Sequence, residues 1–242
     1  MERDEYERMA ATEQGHWWYV ATRALLAEQL APFLPTGGRY LDAGGGTGAT
    51  GAWLAAHGRL VATDLEPMAL KLYGEGHPAV SDRAVADLAR LPFATGAFDL
   101  ALAVTVLYHA AVASPAAAVG ELARVVRPGG VVAVLEPGVR RLRRAHDRQT
   151  HAGRRFSRAD LRRLLVDNGL EVVRATGAYT FLVPPAAVLA LADRQDSSSD
   201  LDRDEGGLGG LLPAAARVER AVLRRATVPF GLSVVAIGRV RR

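Results

Sequence analysis

A doubly wound α/β fold, in which helices cover both faces of a largely parallel sheet, is the architecture this chain predicts, and three observations predict it. Short apolar runs alternate with helical stretches along most of the 242 residues. Strands spaced by helices of that length imply right-handed crossovers and parallel pairing. The first apolar run, Tyr40-Leu-Asp-Ala43, breaks directly into Gly44-Gly-Gly-Thr-Gly48 and then an Ala-rich stretch. A strand that opens into a glycine turn lets a nucleotide-like ligand approach the backbone.

Residues 2–34 read as helical, with Val20, Leu25, Leu26 and Leu30 at near-helical spacing before Pro32 and Pro35 end the pattern. Candidate strands follow at 39–43, 59–63, 83–85, 98–104, 131–135, 171–175 and 233–239. Helices are expected at 50–57, 68–74, 114–126, 158–168 and 213–225. Arg127-Pro-Gly-Gly130 stops a helix and launches a strand. Ser157 and Asp160 form a capping box that starts one. Residues 179–192 are apolar around Pro184-Pro185, whereas 193–210 are polar, acidic and Gly-rich and read as a mobile loop. The expected organisation is a single domain with three parts. These are an N-terminal helical lid (1–36), a core (37–178 and 229–242) and a helical insertion with its loop (179–228).

Composition narrows the classes. Nearly half the residues are apolar and the net charge is +4, yet Lys71 is the only lysine and aromatics make up 6%. Phosphate grips usually mix Lys with Arg and aromatic stacking platforms, so the basic balance argues against a nucleic-acid partner. The absence of Cys removes disulfides and thiolate metal sites. The charged opening lacks a signal-peptide pattern, so a cytoplasmic location is expected. The apolar run near 182–192 is shorter than the about 20 residues that span a bilayer.

Taken alone, the glycine turn is ambiguous. Gly44-x-Gly46-x-x-Ala49 and Gly46-x-Gly48-x-x-Gly51 both satisfy a permissive dinucleotide fingerprint, and Asp64 closes the next apolar run near the expected offset. A nicotinamide oxidoreductase therefore stays open. A P-loop does not, because no Gly-Lys-Ser/Thr follows.

Further motifs extend the pattern in order and spacing: Asp87-Leu-Ala-Arg-Leu-Pro-Phe93, Phe98-Asp99 and Arg124-Val-Val-Arg-Pro-Gly-Gly130. With Leu41–Gly48 and Asp64 they resemble the class I S-adenosylmethionine-dependent methyltransferases, in particular the bacterial branch called type 11. The resemblance implies a Rossmann-like seven-stranded sheet of order 3-2-1-4-5-7-6 with the last strand antiparallel. It also implies S-adenosylmethionine as cofactor. By it, Asp42 orients the turn or reaches the methionine amine. Ala43, Gly44, Gly46 and Gly48 make room for methionine and ribose. Asp64 accepts from both ribose hydroxyls, and Leu65 lines the adenine slot. Asp87 accepts from the adenine amino group with Leu88 nearby, and Val104 touches the methionine portion. Each residue also has a plain alternative as a turn former or helix cap. The sequence departs from the family at Gly45, where Cys is common.

Methyl transfer from a sulfonium needs alignment and exclusion of water, and a general base only for some acceptors. Candidate bases are His109, in Leu107-Tyr-His109, and His146 and His151. The stretch from His146 to Ser157 resembles a segment of the same branch expected to overhang the acceptor. Its histidines lack the spacing of a zinc site. Glu13-x-x-His16-Trp-Trp-Tyr19 with Arg23 resembles the branch's N-terminal helix. Trp17 and Trp18 face different sides of it, so one of them, Trp18 in this reading, covers cofactor or substrate; an aromatic clasp is the alternative. Arg23 is expected to pair with the cofactor carboxylate. The resulting expectation is methyl transfer to a small molecule, with oxygen the favoured acceptor atom, in a biosynthetic pathway. A cofactor-binding protein without methyl transfer is the second alternative. No metal is expected. The protein is expected as a monomer or homodimer, with peripheral membrane contact the lesser use of the 179–192 segment.

Overall fold

The computed structural model describes residues 3–139, 154–192 and 210–241. A seven-stranded sheet of order β3-β2-β1-β4-β5-β7-β6 forms the centre, with β1 Gly38–Ala43, β2 Gly58–Asp64, β3 Asp82–Val85, β4 Phe98–Val104, β5 Val126–Pro137, β6 Leu170–Ala178 and β7 Ser233–Val240. The first five strands pair in parallel, and β7 runs antiparallel between β5 and β6. This is the strand order implied by the resemblance.

Alternation along β4 explains why the sheet is covered twice. Leu100 and Leu102 point into one apolar layer with Leu26, Leu30 and Ile237, while Ala101 and Ala103 join Leu122, Leu161 and Leu165 on the other. Helices α2 Trp17–Leu30, α3 Pro67–Gly76 and α7 Leu211–Leu223 contribute to the first layer; α4 Pro115–Val125 and α5 Arg158–Asp167 contribute to the second. The capping box at Ser157 is present, with Asp160 accepting from the Ser157 backbone at 2.8 Å. The apolar 179–192 segment becomes a short 3-10 turn followed by α6 Val183–Ala192.

Several local expectations change. The single N-terminal helix is two, α1 Arg3–Thr12 and α2. Gly15 lies in the break, and the His16 side chain caps α2 by accepting from Trp18 N at 3.3 Å. The expected helix at 50–57 is a 3-10 turn over Ala52–Ala56, with no side-chain cap at Gly51. Residues 127–130 lie within β5: pairing with β4 jumps from Phe98↔Val126 to Leu100↔Val131, so a bulge absorbs the Pro-Gly-Gly segment. The polar stretch at 193–209 lies outside the described residues. No helix among the described residues is long and apolar enough to cross a membrane.

Leu161 is fully buried on the α5 side, away from the strand ends that carry the glycine turn. Leu161→Ala is expected to cost about 2–5 kcal/mol, seen as a lower urea midpoint with an unchanged m-value.

Candidate functional site

Because β1, β2, β3 and β4 are parallel, their carboxyl ends come together at one edge, where open α/β sheets bind ligands. Ala43, Asp64 and Val104 end three of these strands, and Asp87 follows the fourth. The register places Ala43 beside Thr63, whose carbonyl accepts from Gly44 N at 2.8 Å and Gly45 N at 2.9 Å. Those two bonds turn the chain sharply, with Gly44 at φ +70°, Gly46 at +57° and Gly48 at +96°.

Asp42 is buried beneath the turn. Its Oδ2 accepts from the Tyr73 hydroxyl at 2.9 Å, and burial pushes its carboxyl up to about 7, with the Tyr73 bond working in the opposite direction. A Cβ at Gly51 would collide with that carboxylate, and one at Gly45 would lie 2.7 Å from Oδ2. The glycine at 45 therefore belongs to this arrangement. It leaves room for the Asp42–Tyr73 pair.

The two outer glycines meet different surroundings. A Cβ at Gly44 would overlap Val106, whereas at Gly46 the nearest atom is Met9 Cε, 3.9 Å away. Among the described residues only Met9 of α1 comes within 4 Å of that position, in ordinary van der Waals range. The Gly46 N–H donates to Asp64 Oδ2 at 2.9 Å, and Glu66 N donates to Oδ1 at 3.0 Å. Desolvation raises the Asp64 pKa while these N–H groups lower it. Each oxygen keeps lone-pair capacity for another donor, which suits a vicinal diol. Leu65, next to it, is 59% exposed, an apolar surface beside an acceptor pair. This combination fits an adenosine moiety. Asp87 is exposed and accepts from Ala89 N at 2.8 Å, while Leu88 is buried.

Past β4, Thr105 takes φ +49° and the chain turns through Val106, Leu107 and Tyr108. Glu136, fully buried at the end of β5, accepts from all three backbone N–H groups, at 3.2, 2.8 and 3.1 Å. Burial nevertheless pushes its carboxyl up to about 8, against the opposing bonds from Leu107, Val106 and Tyr108. Arg154 NH1 donates to the Val112 carbonyl at 2.7 Å and the Leu107 carbonyl at 3.3 Å. His109 lies partly buried on this turn, its ring 4.6 Å from that of Tyr108. His146 and His151 lie outside the described residues.

Arg23 is placed on backbone carbonyls. NH1 donates to Ala49 at 2.8 Å and Glu13 at 3.1 Å, and NH2 to Gln14 at 3.2 Å. Trp18 packs edge-on to Tyr19 at 5.0 Å, and Trp17 edge-on to Tyr179 at 6.1 Å. Sequence reasoning assigns no role to Tyr73, His77 or Glu136. Nothing in the local pattern marks them, because their partners lie 28 to 64 residues away.

Residues 41–134 match the family model described as methyltransferase domain. Demethylmenaquinone methyltransferase of Clavibacter sepedonicus is 37% identical over 138 residues, 54% of this chain and 52% of that protein. The chain thus aligns with about half the length of this curated relative. Among solved structures, a chain of the Haloferax volcanii complex between the Trm112 methyltransferase activator and a methyltransferase matches with TM-score 0.65 at 22% identity, covering 99% of this chain and 97% of that one. Geranyl diphosphate C-methyltransferase from Streptomyces coelicolor, solved with S-adenosyl-L-homocysteine, matches with TM-score 0.60 at 15% identity over 90% of this chain and 77% of that one. At these identities the structural likeness speaks for the fold.

The Asp42 environment has a pH signature. With its folded pKa raised from 3.8 to about 7, the native state holds a proton that the unfolded chain releases. Its contribution is full below about pH 4 and is lost as pH rises through about 7. Wild-type stability is expected to fall by a few kcal/mol between about pH 5 and about pH 8. Asp42→Asn is expected to remove part of that fall in urea titrations at the two pH values, the Glu136 contribution remaining.

Proposed function

We propose that this chain is a class I S-adenosylmethionine-dependent methyltransferase that transfers a methyl group to a small-molecule acceptor, a reading supported by the methyltransferase-domain match over residues 41–134. The observation that carries the reading is the Asp64 carboxylate, held by two backbone N–H groups at the strand edge beside Gly46 and exposed Leu65. Bound there, S-adenosylmethionine supplies a methyl group already activated on a sulfonium.

The chain's own residues then have separable tasks. Asp64 takes the ribose hydroxyls, and Leu65 with Leu88 flanks the adenine, whose amino group donates to Asp87. The turn from Ala43 through Gly44, Gly46 and Gly48 holds the methionine end, with Asp42 fixing its floor and Val104 closing the strand side. Trp18 and Arg23 belong to the N-terminal cover, where Arg23 serves by bracing the turn at Ala49. The Val106–Tyr108 turn, fixed by Glu136, presents His109 toward the acceptor side.

For an oxygen acceptor, His109 is the group to take the hydroxyl proton, with His146 and His151 as further candidates. A carbon acceptor on a quinol-like ring is the second reading, favoured by the 37% identity to demethylmenaquinone methyltransferase. Radiolabelled S-adenosylmethionine offered with phenolic hydroxyl compounds and with demethylated quinols separates the two by the position of label in the product.

Calorimetric titration with S-adenosylhomocysteine is expected to show saturable one-site binding, and NAD to give none. Asp64→Ala is expected to weaken the homocysteine analogue by about 10- to 100-fold, the scale of lost hydrogen bonds to a charged group. Tighter binding of NAD would overturn the assignment.

A further inference from the structure

Glu13 is 2% exposed and sits in the link between α1 and α2, where it touches the floor of the glycine turn. Its Oε2 accepts from the Thr47 hydroxyl, itself 1% exposed. Its Oε1 lies 3.4 Å from His77 Nε2 at the end of α3. That nitrogen is buried and has no hydrogen-bond partner among the described residues, so the contact is one of proximity. The His77 ring in turn packs against Gly48, where a Cβ at 3.0 Å from Nε2 would leave no room, and lies 5.5 Å from Tyr73, the residue that holds Asp42. The Glu13 carbonyl is gripped by Arg23, which also holds Ala49. One residue thus connects the N-terminal helices to both sides of the turn. A buried carboxylate is kept only where its bonds offset its desolvation.

We propose that Glu13 is a positioning residue for the cofactor, locking the Gly44–Gly48 turn through Thr47 and His77 and seating α1 over Gly46. The inference rests on the cofactor assignment above and adds a residue for which the turn itself gives no hint. The lock acts from behind the turn. Its carboxylate accepts from Thr47 on the turn and lies against His77 at the end of α3, leaving the Gly46 N–H on Asp64. Met9, one helical turn before Glu13, places its Cε 3.9 Å from where a Cβ at Gly46 would sit. Holding Glu13 in place therefore holds α1 in place.

The test compares Glu13→Ala, Glu13→Gln and Thr47→Val with wild type, and uses Leu161→Ala as a destabilised control remote from the turn. The readouts are S-adenosylhomocysteine affinity by calorimetry and amide exchange of residues 45–49 by mass spectrometry, at a temperature where circular dichroism shows each protein folded. Glu13→Ala and Thr47→Val are each expected to weaken binding by about tenfold or more, with the double variant no weaker than about the worse single one. Glu13→Gln, which still accepts from Thr47, is expected to recover part of the loss. Leu161→Ala is expected to bind like wild type. Turn amides are expected to exchange faster in Glu13→Ala than in Leu161→Ala. Wild-type affinity and exchange in the Glu13 and Thr47 variants would overturn the proposal. If Glu13→Ala does not fold, Glu13→Gln and Thr47→Val carry the same comparison. Wild-type protein that binds no S-adenosylhomocysteine would instead overturn the cofactor assignment, and turn exchange would still decide whether Glu13 locks the turn.

Discussion

Beneath the glycine turn, the Asp42 carboxylate is almost wholly withdrawn from water, and its surroundings leave it little freedom. Tyr73 supplies a hydroxyl, Gly45 and Gly51 supply the absence of side chains, and β1 supplies a rigid stem. A carboxyl group in such a place cannot be solvated, so the surrounding chain must satisfy it or the group must hold a proton. The course of the turn follows from that requirement. Larger residues at 45 or 51 would displace either the carboxylate or Tyr73, and with Tyr73 the packing of α3 on the sheet.

The same principle recurs around the site edge. Glu136 gathers the three N–H groups of the turn after β4, and Glu219 on α7 takes Tyr179 N at 2.6 Å and Thr180 N at 2.7 Å where the chain leaves β6. In each case an acidic side chain from a neighbouring element satisfies backbone donors that an irregular turn cannot pair with itself. Tyr179 and Thr105 both adopt positive φ next to such an anchor. The strain of those conformations is offset by bonds that only the folded sheet brings into register.

The sheet was legible because its information is local and periodic. Apolar runs in β1, β2 and β4 alternate with helical spacing, and the motif order supplied the inversion of β7 that pattern alone does not reveal. The placement of Asp42, Asp64 and Asp87 at carboxyl ends was legible for the same reason: Asp42 lies near the end of β1, Asp64 ends β2 and Asp87 comes two residues after β3. The contacts of Arg23 were not legible: its guanidinium donates to carbonyls at Glu13, Gln14 and Ala49, acceptors that sequence spacing does not encode. The break in the N-terminal helix was hidden similarly, since it depends on His16 capping α2. Glu136 and His77 do their work across distances in the chain at which no periodicity survives.

Val106 fills the space that a side chain at Gly44 would occupy. The glycine turn and the turn after β4 thus share one van der Waals surface. A change in the shape of either one is transmitted to the backbone of the other, so the two loops move as a geared pair rather than as independent parts.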